Sequence, residues 1–376
     1  MNVLLASMTM DIGGAETHVI ELAKGLKKIG HNPIVISAGG IYVQELLADE
    51  ICHYEAPLNK KDIKSLTESM KVLTRIIDEK KIDLIHAHGR IPALNSKIVS
   101  KLKGIPFMTT AHAKFDASLI YKYTSFWGKE VICISEDIKD HLMNNFNVKE
   151  EKITIIPNGI DTMKFSPRED SVDLKNELVL GEDTLKVIYI SRISGPLAEL
   201  AKLVIEAGNE IFKENEEIEF IVVGDGDDED FKRVREAAEN VNSEHDKKVV
   251  HILGKRTDIP EILSLADVTV CVARTALEAM ASEKPVILAG GEGYMGVLTE
   301  KNMRDAISNN FTGRTSNDEI NIEKLKEEIL CLCQPESKKL RVELGKLGRE
   351  VVMNQFSIQT MVKSTVDIYN KLVKGV

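Results

Sequence analysis

Arg274-Thr275-Ala276-Leu277-Glu278-Ala279-Met280-Ala281-Ser282-Glu283-Lys284-Pro285-Val286-Ile287 decides how the rest of the chain is read. The apolar run Val268–Val272 precedes it and reads as a buried strand. Thr275 and Glu278 have the Thr-x-x-Glu spacing of a capping box, which predicts a helix starting on the end of that strand. A second strand, Pro285–Leu288, follows at once. A strand that ends in a helix N-terminus gathers free N–H groups and partial positive charge at one point, which suits a phosphate. Glu278, expected on the first turn, would touch whatever the phosphate carries. The segment indicates a nucleotide site and names no reaction.

The same alternation runs outward in both directions. Strands are expected at Val3–Ser7, Pro33–Ser37, Leu84–His86, Phe107–Thr109, Val131–Ile134 and Ile153–Ile156. A second set is expected at Val187–Ile190, Phe220–Val223, Val249–Leu253, Val268–Val272 and Val286–Leu288. Amphipathic patterns such as Glu16–Lys28 and Ser65–Ile77 fill the gaps. Continuous apolar strands separated by helices predict parallel sheets covered on both faces. The fold class is therefore α/β, with two doubly wound, Rossmann-like parallel-sheet domains facing across a cleft. The turn-rich Pro157-Asn158-Gly159-Ile160-Asp161 marks the junction. The expected domains are 1–165, completed by a C-terminal helix at 356–376, and 166–355. That helix shows a stripe of Met361, Val362, Val366, Ile368, Tyr369 and Leu372 and needs a partner surface.

Composition narrows the class. The net charge is −10, with 43% hydrophobic and 29% charged residues, as in ordinary soluble domains. Acidity of this order argues against nucleic acid as a partner. No apolar run reaches the roughly 18 residues that a membrane span needs. The opening run Met1–Ser7 lacks a basic leader and reads as a strand, not a signal peptide. Five scattered cysteines suit reduced thiols in a cytoplasm. Lys60, Lys61, Lys64, Lys101 and Lys103, with Tyr121, Tyr123, Phe126 and Trp127, leave open a peripheral contact with an anionic membrane. Solvated and packed helix faces are the preferred reading.

The polar candidates sit just after expected strands. Gly13-Gly14 would let a ligand approach a helix N-terminus, or form a plain turn. His18 lies one turn further on and faces either the cleft or solvent. His86, His88 and His112 follow two strands; they would bind sugar hydroxyls, move a proton, or simply bond loop backbone. No carboxylate completes a metal spacing with them. Asp225–Asp230 lacks the spaced ligands of a calcium loop and reads as an acidic helix start. Arg192 and Arg274 at neighbouring strand ends could grip a phosphate, or remain solvated.

With these residues in place, the chain resembles the retaining glycosyltransferases of GT-B fold often called family four. The resemblance spans essentially the whole length. Its marks are the Gly-Gly loop within Met1–Leu26, Thr109-Thr110-Ala111-His112, Ile134-Ser135, and Ile156–Asp161 with Phe165. Val222–Gly226, Leu253-Gly254, and Leu277–Ala281 with Lys284–Ile287 continue it. The resemblance implies transfer of a sugar from a nucleotide-diphosphate donor, UDP-sugar foremost, to a glycan or lipid-linked acceptor. It implies retention, no metal or other cofactor, and a cytoplasmic enzyme of cell-surface glycan synthesis, peripheral at most to the inner membrane face. By the same resemblance, Gly13 and Gly14 would lie near donor phosphate and acceptor, and His112 would contact the transferred sugar. Arg192 would hold the diphosphate, Glu278 the ribose, and Lys255 and Arg256 would flank the base. His18, His86 and His88 would line the sugar or acceptor side.

Two positions depart from the family's pattern. A first glutamate is expected at position 270, where Val270 stands, and the loop that carries it is shortened to Ala273-Arg274. A lysine is expected where Leu197 stands; Arg274, beside Thr275, or Lys202 would have to supply its charge. Gly290-Gly291-Glu292-Gly293-Tyr294-Met295-Gly296 is expected to form a substitute sugar- or phosphate-binding loop. Asn310-Phe311-Thr312-Gly313-Arg314 is a turn without an assigned role. The departures keep two alternatives in view: a catalytically silent binding protein, and a nucleotide-sugar epimerase or hydrolase on the same fold.

Overall fold

In this computed structural model, residues 1–118, 122 and 124–375 are described. Tyr121 and Tyr123 of the aromatic group lie outside them. The chain divides into two compact units, Met1–Gly159 with Gln355–Val376, and Ile160–Asn354. The division falls at Gly159 rather than at 165: Phe165 N–H bonds back to the Asp161 carbonyl at 2.8 Å, closing a turn within the second unit.

Among the described residues, the first unit holds a seven-stranded sheet. Its strands are β1 (Asn2–Ser7), β2 (Asn32–Ser37), β3 (Cys52–Glu55), β4 (Leu84–His88), β5 (Phe107–Ala111), β6 (Val131–Cys133) and β7 (Ile153–Ile155). They run in parallel in the order β3-β2-β1-β4-β5-β6-β7. The central strands are buried on both faces, so apolar residues do not alternate with exposed polar ones along them. Strand β3 is not among the expected strands, since Cys52-His53-Tyr54-Glu55 is a polar edge strand with no apolar run.

The C-terminal helix Ile358–Lys374 finds its partner in this unit. Met361, Val362, Ile368, Tyr369 and Leu372 join one core with Val19, Leu22, Ala23 and Leu26 of the helix Gly14–Lys28. Gly25 lets the two helices approach: a Cβ placed on it would stand 2.3 Å from Val362 Cγ2. Alanine is the better helix former by about 1 kcal/mol. The β-branched Val362 is nonetheless stiff, and overpacking costs about 1–3 kcal/mol. Gly25→Ala should therefore lower the midpoint of thermal unfolding, and adding Val362→Ala should recover most of the loss. A Gly25→Ala protein that melts higher than wild type would contradict the close approach.

The second unit holds β8 (Leu185–Ile190), β9 (Ile218–Val223), β10 (Val250–Gly254), β11 (Val268–Cys271), β12 (Val286–Gly290) and β13 (Gly293–Val297). Their order is β10-β9-β8-β11-β12-β13, and only β13 runs antiparallel to its neighbour in this sheet. The glycine-rich stretch expected to be a phosphate loop is thus a hairpin closing the sheet edge. Its alternating burial, with Tyr294 inside, is that of a strand covered on one face. Both units are Rossmann-like and doubly wound.

Candidate active site

Parallel strands bring their carboxyl ends into register, and that register assembles the histidines. Strand β4 lies between β1 and β5, with Ser7 opposite His88 and His88 opposite Thr110. His86 and His88 therefore end one strand, His112 follows the next, and His18 stands on the helix that follows β1. His88 Nδ1 lies 3.0 Å from His112 Nε2, and their rings stack. His18 meets His112 edge-on at 4.8 Å between centroids and bonds Asn158 Oδ1 at 2.9 Å. His86 lies beneath, 4.1 Å from His88. It is fully buried between Tyr369 Oη and Thr110 Oγ1, each at 2.7 Å.

His86, His88 and His112 are electrically quiet. Burial, reinforced by the other histidines, pushes His86, His88 and His112 well below the usual imidazole range. They are neutral at pH 7. His88 Nε2 and His112 Nδ1 are buried and make no hydrogen bond among the described residues. Such atoms suit a ligand's hydroxyl groups. One ligand atom from each of His18, His88 and His112 also falls within 4.8 Å of the others, a spacing a transition metal could draw together. Gly14 opens the first helix, and no atom lies within 4 Å of where its Cβ would be. A substituent of a bound molecule can lie there.

The other sequence candidates belong to the second unit. The helix after β11 spans Ala273–Ala281, so it begins two residues before Thr275. Thr275 is not the cap, and Glu278 is on the second turn. The start is fixed by tertiary contact: Ala273 N–H donates to the Phe311 carbonyl at 2.7 Å, and Ala273 takes the left-handed φ of 52°. Thr275 Oγ1 instead accepts from the Val272 N–H and donates to its carbonyl. Glu278 is 8% exposed and accepts from Arg274 Nε at 2.9 Å. Burial raises its carboxyl pKa, and Arg274 opposes the rise. Arg274 is thus paired with Glu278 and is not a spare cation. Lys202 is not one either, since it pairs with Glu199. Val270 is fully buried inside β11, so no side chain at that position would face a ligand.

Arg192 is exposed just beyond β8, next to Ser191. The acidic run nearby is a helix start, as its sequence suggests: Asp227 Oδ1 caps the Asp230 N–H at 2.9 Å. Asp230 also accepts from the Gly195 N–H at 2.6 Å, so that part of the loop after β8 is already occupied. Arg256 binds Asp258 through Nε at 2.8 Å and Glu177 through Nη1 at 2.6 Å, a structural cluster. Lys255 beside it is exposed. The sequence singled out neither Tyr369 nor Asn158 as partners of the histidines. The only signals were a tyrosine in an apolar stripe and a turn asparagine.

Comparison with known proteins adds to this geometry. A model described as Glycosyltransferase Family 4 matches residues 12–164, and one described as Glycosyl transferases group 1 matches residues 184–315. An Escherichia coli UDP-Gal:alpha-D-GlcNAc-diphosphoundecaprenol alpha-1,3-galactosyltransferase is 27% identical over 346 residues, covering 83% of this chain and 80% of that protein. The crystal structure of a glycosyltransferase from Rickettsia africae ESF-5 superimposes with a TM-score of 0.82 at 24% identity, covering 100% and 99% of the two chains. Anabaena Alr3699/HepE in complex with UDP gives 0.76 at 19% identity, covering 99% and 100%.

Proposed function

The chain belongs to glycosyltransferase family four, and we propose that it transfers a sugar from UDP to a lipid-diphosphate-linked acceptor, with retention and without a metal. The observation that carries the reading is the start of the helix Ala273–Ala281. There a buried carboxylate, Glu278, is held by Arg274 beside first-turn N–H groups at the end of a central strand. A sugar nucleotide needs both features. Its ribose diol wants a carboxylate acceptor, and its diphosphate wants N–H donors and arginine.

The Escherichia coli relative supports the donor and acceptor classes, since it takes UDP-galactose and a diphosphoundecaprenol-linked sugar. Its α-1,3 linkage is what retention at an α-linked donor would give. Arginine and helix N–H groups stabilise a departing diphosphate without a metal ion, which supports metal independence. The histidine group would contact the transferred sugar through His112, with His18 and His88 beside it. A lipid-linked acceptor calls for a membrane surface, and we place the reaction at its cytoplasmic face. Among the described residues no helix is long and apolar enough to cross a membrane. Ile63 and Leu102 are 83% and 74% exposed beside Lys64, Lys101 and Lys103, which suits peripheral contact.

The test is transfer from UDP-galactose, UDP-glucose and UDP-N-acetylglucosamine to undecaprenyl-diphosphate-linked N-acetylglucosamine in detergent. Acceptor-dependent UDP release that persists in excess chelator is expected. UDP release without acceptor would identify a hydrolase, and sugar conversion without release an epimerase. Binding without turnover would identify a silent protein. If no donor is bound or consumed at millimolar concentration, the reading fails. Loss of transfer on chelation would move the histidine group from sugar binding to metal binding.

A further inference from the structure

The turn that follows the helix Glu300–Ser308 is built into the donor half of the second unit. Asn309 is fully buried and accepts from the N–H groups of Thr312 and Gly313 at 2.9 and 3.1 Å. Asn310 and Phe311 both take a left-handed φ of 57°. Non-glycine residues hold that conformation only when their surroundings impose it. The surroundings are visible. The Phe311 carbonyl accepts from Ala273 N–H at 2.7 Å. The Thr312 carbonyl lies against Gly290, 3.3 Å from where a Cβ would stand. The Gly313 carbonyl presses on Gly293, 2.1 Å from its Cβ position. Gly291 in turn packs on Pro196, the first residue of the helix Pro196–Glu214. The turn is thereby fixed to the ends of β11 and β12, beside the N-terminus from which Arg274 and Thr275 project.

What this strained turn delivers is Arg314. Its Nη1 lies 3.4 Å from Glu292 Oε2, and the Glu292 side chain is 58% exposed. At this length, and with the carboxylate largely in solvent, the Glu292 contact holds weakly. Arg274 is already engaged by Glu278. A diphosphate brings at least two negative charges, so Arg192 alone leaves room for a further cation.

We propose that Arg314 is a diphosphate-binding residue of the donor site, and that Glu292 holds it in reserve until a nucleoside diphosphate displaces the carboxylate. This rests on reading the second unit as a UDP-sugar site. The role gives opposite signs to the two partners. Removing the arginine weakens diphosphate binding, whereas removing the glutamate removes a competitor and strengthens it.

Calorimetric titration of the full chain with UDP and with uridine tests both signs. Arg314→Ala should weaken UDP binding by about 10- to 50-fold and leave uridine unchanged, and Arg314→Lys should retain part of the affinity. Glu292→Ala should tighten UDP binding by about two- to fivefold. Thermal melts of all three variants identify any that fails to fold, and Glu292→Ala carries the test if Arg314→Ala is one of them. Arg314→Ala binding UDP as tightly as wild type overturns the proposal, as does an equal loss for UDP and uridine. Weakened UDP binding in Glu292→Ala overturns the reserve role. If wild type binds no nucleoside diphosphate, the donor reading falls and takes this inference with it; if wild type binds UDP, only the inference is at stake.

Discussion

Replacing Glu278 by glutamine should weaken UDP binding by about 10- to 100-fold, because hydrogen bonds to a charged group are each worth about 1.5–3 kcal/mol. The amide keeps the size of the side chain and one acceptor oxygen, but loses the charge that Arg274 uses and that a bound ribose diol would use. The two uses can be separated. Glu278 is 8% exposed, whereas the Arg274 side chain is 31% exposed, so Arg274 left alone remains partly solvated and its loss of a partner is softened. Thermal stability should therefore fall little while nucleotide affinity falls much. Acidity should mimic the substitution. Burial raises the carboxyl pKa above 4.5, so the wild-type carboxylate takes up its proton at a higher pH than a free glutamate would. UDP affinity should then decline on the acid side beginning above pH 4.5, and Glu278→Gln should lack that decline. Calorimetry at several pH values reads both effects. Wild-type affinity for UDP preserved in Glu278→Gln would remove the carboxylate from the ribose.

The parts that were legible in the sequence are those set by local pattern. The strands β1, β4, β5, β8 and β11 carry apolar runs because central parallel strands are buried on both faces, and those runs lie within a residue or two of the observed strands. The acidic helix start after β9 was read correctly for the same reason, since Asp227 caps its own helix. What could not be read is decided at a distance. The helix after β11 starts at Ala273 because its N–H meets the carbonyl of Phe311, and no periodicity in Arg274–Ile287 encodes that meeting. The Thr-x-x-Glu pattern is real as spacing, but the helix starts two residues before its threonine. Strand β13 was hidden because three of the residues in Gly290–Gly293 are glycines, which read as a loop until a sheet edge is there to pair with. The histidines were found one by one after their strands. Their grouping depends on pairs separated by 140 and 283 residues, Asn158 with His18 and Tyr369 with His86.

That grouping makes the second large effect specific. His112→Ala should lower kcat by about 10²- to 10³-fold, the range for losing one preorganised hydrogen-bonding group in the transition state. UDP affinity should stay within about twofold if the contact proposed for the side chain, with the sugar and not the nucleotide, holds. His112 is held by His88, which lies tilted against His86, which is fixed by Tyr369 and Thr110. Tyr369→Phe should therefore lower kcat as well, by less, without touching UDP. The group also carries a stability signature whose sign follows from linkage. His86, His88 and His112 have folded values well below 6.5, so below pH 6.5 the unfolded chain binds protons that the folded chain refuses. Their contribution is complete above pH 6.5 and is lost as pH falls, at up to about 1.4 kcal/mol per pH unit for each histidine. Urea unfolding at pH 7.5 and 5.5 should show a steep loss in wild type and a shallower one in His86→Phe. Equal slopes would mean that the histidines are not held neutral. A kcat limb centred near pH 6.5 that vanishes in His112→Ala would mean that His112 titrates in the working range and serves as an acid or base, not as a neutral partner of the sugar.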